Sequence, residues 1–195
     1  MKVHAIPRVV TGLVAALVLS GGLPAATVGP AQAHTYDDPT SASQVSPISV
    51  TPYDRWWLEN TATSLCMEVA FGNTRDFTPT TQFTCASTAF TEWQVTYTGV
   101  PLTYAVQSVH SGKCLDVPGA SKEDLAPVVQ YGCHGGASQR WRFTCGFGSN
   151  ECTIQNVNSG KCLDAGFNSD QLYSFIVQKQ CPGAYQTWRV IHAGR

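Results

Sequence analysis

Eight cysteines, five histidines and thirteen acidic residues are the groups of this chain whose types could do chemistry. The histidines (His4, His34, His110, His134 and His192) are scattered, with no G-x-S-x-G or H-E-x-x-H segment around them. Neither a nucleophile elbow nor a zinc-protease helix is therefore written here. The carboxylates form no recognisable acid–base pair, so a protein without catalytic activity is expected. The cysteines have no C-x-x-C pair, which argues against zinc. No metal and no cofactor is expected. Their spacing carries more information. Cys66, Cys114 and Cys162 lie 48 residues apart, and so do Cys85, Cys133 and Cys181.

The first of each pair precedes its partner by 19 residues, and a tryptophan follows each pair: Trp93, Trp141 and Trp188. One unit is written three times, and such a repeat means three copies of one module sharing a core. Equivalent cysteines should pair equivalently, which predicts Cys66–Cys85, Cys114–Cys133 and Cys162–Cys181. Cys145 and Cys152 remain and should pair across a hairpin loop. Each long bridge contributes about 3 kcal/mol on the loop-entropy account. Three small modules with a thin shared core need such staples.

Disulfides imply export, and the start of the chain agrees. Lys2 and Arg8 precede an apolar run from Val9 to Leu19, and Ala31-Gln32-Ala33 is a small-residue cleavage signal. Residues 1–33 therefore read as a secretory signal peptide, and the mature chain as secreted and extracellular. The run is too short, and too broken by Gly21, Gly22 and Pro24, to span a membrane. No membrane insertion is expected. Loss of Lys2 and Arg8 moves the formal net charge from −1 to −3. With no basic patch, nucleic acid is a poor partner. Residues 34–54, with Pro39, Pro47 and Pro52 among Ser, Thr and Asp, read as a flexible leader.

Residues 55–195 hold the modules, near 55–98, 100–146 and 152–193. The second and third are closely alike. Gln107 to Asp116 matches Gln155 to Asp164, and Gln139-Arg140-Trp141 matches Gln186-Thr187-Trp188. The first module is worn, with Glu68 for the aspartate and Thr91 for the glutamine. Each tryptophan strand alternates apolar and polar residues, the mark of a half-buried strand. The tryptophans themselves read as core. Short strands with glycine-rich turns argue all-β. Three such units should close around one core and remove most open edges.

The phased repeat of Cys-Leu-Asp, Cys-x-Gly-Gly and Gln-x-Trp, complete in the second module and altered in the first and third, resembles the ricin B-type lectin domain, including family 13 carbohydrate-binding modules. The resemblance covers nearly the whole chain after the leader. It implies a disulfide-bonded β-trefoil of three ~48-residue repeats. It also implies a shallow sugar pocket on each module, built from the Cys-Leu-Asp aspartate, an aromatic two residues before the second cysteine, and nearby polar groups.

Those positions give a carbohydrate-binding set of Asp116, Tyr131, His134 and Gln139 in the second module, and Asp164 and Gln186 in the third. A sugar offers hydroxyls to a carboxylate and an apolar C–H face to a ring. If the Cys114–Cys133 bridge joins antiparallel segments, Asp116 opposes Tyr131, Asp164 opposes Lys179, and Glu68 opposes Phe83. Lys179 offers no stacking face, though Tyr173 or Tyr185 could supply one. The second module is the expected chief site. The competing reading has Asp116 bonding the Val117-Pro118-Gly119 turn and Tyr131 merely exposed. The glutamines are expected to bond backbone first and ligand second. The implied partner is a galactoside, xylan or an arabinose-containing polymer. A second function class is a binding subunit of a secreted enzyme or toxin assembly, with a secreted protein as partner. The hairpin between Cys145 and Cys152, tipped by Phe147, reads as a contact point or, more plainly, as a stabilised connector.

Overall fold

The computed structural model describes residues 54–86, 88–166 and 171–194. The expected signal peptide, and the leader apart from Asp54, lie outside the described residues.

Among the described residues twelve strands follow one another: β1 (Arg55–Asn60), β2 (Cys66–Val69), β3 (Thr78–Phe83), β4 (Trp93–Tyr97), β5 (Thr103–Ser108), β6 (Cys114–Asp116), β7 (Val129–Tyr131), β8 (Arg140–Cys145), β9 (Glu151–Asn156), β10 (Cys162–Asp164), β11 (Val177–Lys179) and β12 (Thr187–Gly194). Their alternation is visible in the burial of β8, where Trp141, Phe143 and Cys145 are buried while Arg142 and Thr144 are exposed. Six strands close a ring: β1 pairs β4, β4 pairs β5, β5 pairs β8, β8 pairs β9, β9 pairs β12, and β12 pairs β1. Closure removes the open edges of those strands. The other six form three hairpins, β2–β3, β6–β7 and β10–β11, one per module. A six-stranded barrel with three hairpins is the β-trefoil that the family resemblance implies, and it meets the closed threefold all-β fold expected from the repeat.

The core is threefold because the sequence is. Leu58, Val106 and Ile154 are each fully buried, as are Met67, Leu115 and Leu163. Trp93, Trp141 and Trp188 are also fully buried, and each indole N–H donates to the backbone carbonyl of Met67, Leu115 or Leu163 respectively. The bond ties every barrel strand that carries a tryptophan to its own module's hairpin, and it meets the demand of a buried donor.

Buried glutamines at the same 48-residue spacing join one module to the next. Gln130 donates to the carbonyls of Asn73 and Arg75 and accepts from the Ser111 hydroxyl. Gln178 does the same with Ser121, Glu123 and Ser159. Gln82 accepts from Thr63. The repeat of these glutamines stands in the sequence, yet nothing in their chemistry announces burial, and the sequence reading passes over them.

All four expected disulfides form, and among the described residues no cysteine is free. Cys145 and Cys152 face each other directly across the β8–β9 hairpin, with Phe147 exposed at its tip. Among the described residues no helix is long and apolar enough to cross a membrane.

Candidate functional site

The second-module hairpin corrects the expected register. Asp116 pairs with Val129, and Tyr131 pairs with Cys114. In the same way Glu68 faces Thr81, not Phe83, and Asp164 faces Val177, not Lys179. The cause is the disulfide. Its second cysteine lies two residues beyond the residue that opposes the first, so the bridge spans a diagonal rather than a direct pair. A shift of two keeps the same face outward. Asp116 and Tyr131 therefore share a face as diagonal neighbours.

Around Asp116 the expected residues gather. The buried Gln139 donates from Nε2 to Asp116 Oδ2 (3.0 Å) and to the carbonyl of Gly132 (3.0 Å). Its Oε1 accepts from the backbone N–H of His134 (2.8 Å) and Gly135 (3.2 Å). Gln139 thus holds the loop after Cys133 against the carboxylate. The His134 ring reaches Asp116 Oδ2 through Nε2 (3.2 Å). Its Nδ1 accepts from the N–H of Gly136 (3.1 Å), so in the neutral ring the proton sits on Nε2 and is donated to Asp116. A Cβ on Gly136 would stand 2.8 Å from the His134 ring, so glycine there is a requirement of the ring's position. Tyr131, half-buried, contacts the His134 ring edge-on at 6.1 Å between centroids.

Asp116 Oδ1 is buried and has no hydrogen-bond partner among the described residues. The third module shows why. There Asp164 Oδ1 accepts from the N–H of Gly166 (2.8 Å), and Oδ2 accepts from Gln186 (3.0 Å). The residue equivalent to Gly166 in the second module is Pro118, which has no N–H to give. The competing reading, in which Asp116 bonds the following turn, is thus blocked at Pro118 and realised instead by Asp164.

A second proline produces the opposite imbalance. Pro182 replaces His134, so Gln186 Oε1 lacks the backbone donor that Gln139 receives, and it is buried without a partner. The third module therefore offers a neutral amide oxygen where the second offers a carboxylate oxygen. A cleft of about 370 Å³ adjoins it, lined by Gln155, Pro182, Gly183 and Gln186 among others, with no aromatic ring in its wall. Neither expected substitute ring serves this module. Tyr173 stacks on Phe71 (5.0 Å) and contacts Phe83 (5.4 Å), both of the first module. Tyr185 is exposed and has no ring partner among the described residues.

In the first module Glu68 is buried, accepting from the Thr81 hydroxyl (2.9 Å) and from the Phe71 N–H. Burial pushes its carboxyl above the usual range, against the pull of those two bonds. The folded protein then holds this proton more tightly than the unfolded chain, so stability falls as pH rises between the unfolded and folded values. Acidification from pH 7 to 5 is expected to recover stability at this group, and Glu68→Gln removes that part of the gain. Thermal melts of both proteins at the two pH values measure it; equal pH responses would contradict the assignment. Thr91 turns its hydroxyl to Ala86 and Thr88 and, among the described residues, reaches no carboxylate. Among the described residues no cluster of three or more His, Cys, Asp or Glu is placed to hold a metal ion.

A family model described as ricin-type beta-trefoil lectin domain-like matches residues 44–131, 89–174 and 137–195. Among solved structures, the designed threefold-symmetric protein ThreeFoil is 28% identical, with a TM-score of 0.67, over 70% of this chain and 97% of that one. The exo-beta-1,3-galactanase 1,3Gal43A from Clostridium thermocellum is 25% identical, with a TM-score of 0.66, over 74% of this chain and only 31% of the enzyme. The Macrolepiota procera ricin B-like lectin, solved in complex with lactose, shares the fold at 15% identity and a TM-score of 0.61, over 73% of this chain and 97% of that one. No match was found among curated proteins.

Proposed function

The chain belongs to the ricin-type β-trefoil lectin family, and from that premise we propose a secreted carbohydrate-binding protein without catalytic activity that holds glycan chiefly through its second module. The observation that carries this reading is Asp116 Oδ1, a buried carboxylate oxygen with no protein partner. A buried polar atom left unpaired is costly, and a sugar hydroxyl would satisfy it with a charge-assisted bond. Tyr131 supplies the ring beneath the sugar, and the His134 imidazole and Gln139 carry the second carboxylate oxygen. Oδ1 is shielded from solvent, so a ligand needs one side chain to move. His134, nearly half exposed and held by two hydrogen bonds, is the group beside it. Asp164 has both oxygens occupied, which makes the third module the lesser site.

The ligand is a galactoside, xylan or an arabinose-containing polymer. The likeness to part of a galactanase puts β-1,3-galactan first among the probes. The same likeness supports a second reading, in which the protein is the binding subunit of a secreted enzyme or toxin assembly, because the matched region is a minor part of that enzyme. The deciding experiment incubates the protein with a glycan array and with insoluble galactan, xylan and arabinoxylan. Retention on one sugar class is expected. Absence of retention on all of them would overturn the lectin reading and leave a protein partner to be sought.

A further inference from the structure

Three equivalent residues, Phe77, Leu125 and Tyr173, have positive φ angles of 63°, 64° and 64°. That region favours glycine, and a large side chain there is strained. None is buried: Phe77 is 60% exposed, Leu125 38% and Tyr173 44%. Backbone ease and core packing therefore both fail to explain why rings occupy two of these positions. What the rings share is their neighbour. Each lies against the aromatic residue of the following module that stands two before its second cysteine. Phe77 meets Tyr131 at 4.8 Å between centroids, and Tyr173 meets Phe83 at 5.4 Å. Leu125 comes before the module whose equivalent residue is Lys179, where there is no ring to extend.

We propose that the second-module site continues across the module boundary onto Phe77, so that it holds two consecutive residues of a glycan chain rather than one terminal sugar. The inference rests on the reading of Asp116 and Tyr131 as the glycan site. Tyr131 contacts both His134 and Phe77, so the row of rings leads away from the carboxylate onto the first module. The planes of Phe77 and Tyr131 differ by 46°, which makes a bent floor suited to a chain that turns between residues. The floor is also fixed before ligand arrives. Lys113 pairs with Asp76 at 2.6 Å, and the Gly132 N–H donates to the same carboxylate at 3.1 Å. Phe77 donates its own N–H to the Gln130 carbonyl at 2.9 Å. These bonds lock the turn that carries Phe77 to the hairpin that carries Tyr131, so little ordering is left for binding to supply.

The test is calorimetric titration of the full chain with β-1,3-galacto-oligosaccharides and β-1,4-xylo-oligosaccharides of one to four units. The quantity read is the ratio of two-unit to one-unit affinity. In the wild type it exceeds one in the series that binds, with little further gain beyond two units. Phe77→Gly, which relieves the strained backbone, is expected to lower that ratio roughly three- to tenfold, the worth of one aromatic contact. Leu125→Gly is expected to leave it unchanged. A melting temperature for Phe77→Gly at or near that of the wild type excludes misfolding as the cause. A wild-type ratio near one, or an undiminished ratio in Phe77→Gly, overturns the inference. If neither series binds the wild type, the inference is overturned while the glycan array still decides the parent reading; if Asp116→Ala binds as the wild type does, the parent reading fails and the extension falls with it.

Discussion

Asp116→Ala is expected to cut glycan retention about 30-fold or more while leaving the fold intact. The size follows from the truncation of a desolvated charged acceptor, which costs roughly 2–5 kcal/mol. The intact fold follows from what the carboxylate does in the free protein. One oxygen has no partner, and the other accepts from Gln139, whose amide also donates to Gly132, and from an exposed histidine. Its removal eliminates one unpaired buried atom and strands little. Asp164→Ala is expected to do the reverse. That carboxylate satisfies the Gly166 N–H and the Gln186 amide, so its loss costs about 1–3 kcal/mol of stability with little effect on retention. The pair separates a site from a brace made of the same residue at equivalent positions. Affinity electrophoresis on the retained polymer, together with thermal melts of both variants, gives the two readouts. Equal retention by Asp116→Ala and wild type would move the site elsewhere.

That contrast bears on how much of the site can be read from a sequence. The two Cys-Leu-Asp copies look alike, and the aspartates of the second and third modules cannot be told apart by motif. Their difference lies two residues on, where Pro118 stands for Gly166, and its meaning depends on the geometry of the turn. Only once the backbone is known does a missing N–H translate into a free carboxylate oxygen. The gathering of Asp116, His134 and Gln139 was legible, since all three flank one disulfide in one repeat. The pairing within the hairpin was legible only to the correct face. Cysteine spacing fixes that two strands meet but not whether the bridge joins direct or diagonal neighbours. Phe77 was beyond reach for a different reason: its contact with Tyr131 crosses from one module to the next, and internal symmetry says nothing about how copies abut. The buried glutamines at 82, 130 and 178 carried a clear periodic signal, but polar residues at a regular spacing read equally well as a solvated face.

The tryptophans were legible as core from their recurrence on the apolar face, and they carry the largest expected effect on stability. Trp141→Ala should destabilise by about 3–5 kcal/mol through the cavity it leaves, before counting the Leu115 carbonyl that loses its indole donor. A domain of this kind has only about 5–15 kcal/mol in total, so the variant sits near the limit of folding. Trp141→Phe keeps most of the volume and surrenders the hydrogen bond, which makes it the milder variant. Urea titration of both resolves the cavity from the bond. The shape of the transition is as informative as its midpoint. The three long disulfides and the indole bonds lie within modules, which would allow each to melt alone. The barrel, however, closes through pairs between modules: β4 with β5, β8 with β9 and β12 with β1. Each module contributes strands to that single ring, and none has a core of its own. A loss at Trp141 must therefore be felt by all three, and Trp93→Ala and Trp188→Ala should give the same single transition at a similarly lowered midpoint. Two resolved transitions, or a loss at Trp141 below about 1 kcal/mol, would mean that the modules are held by their disulfides as separate units and that the shared core is secondary.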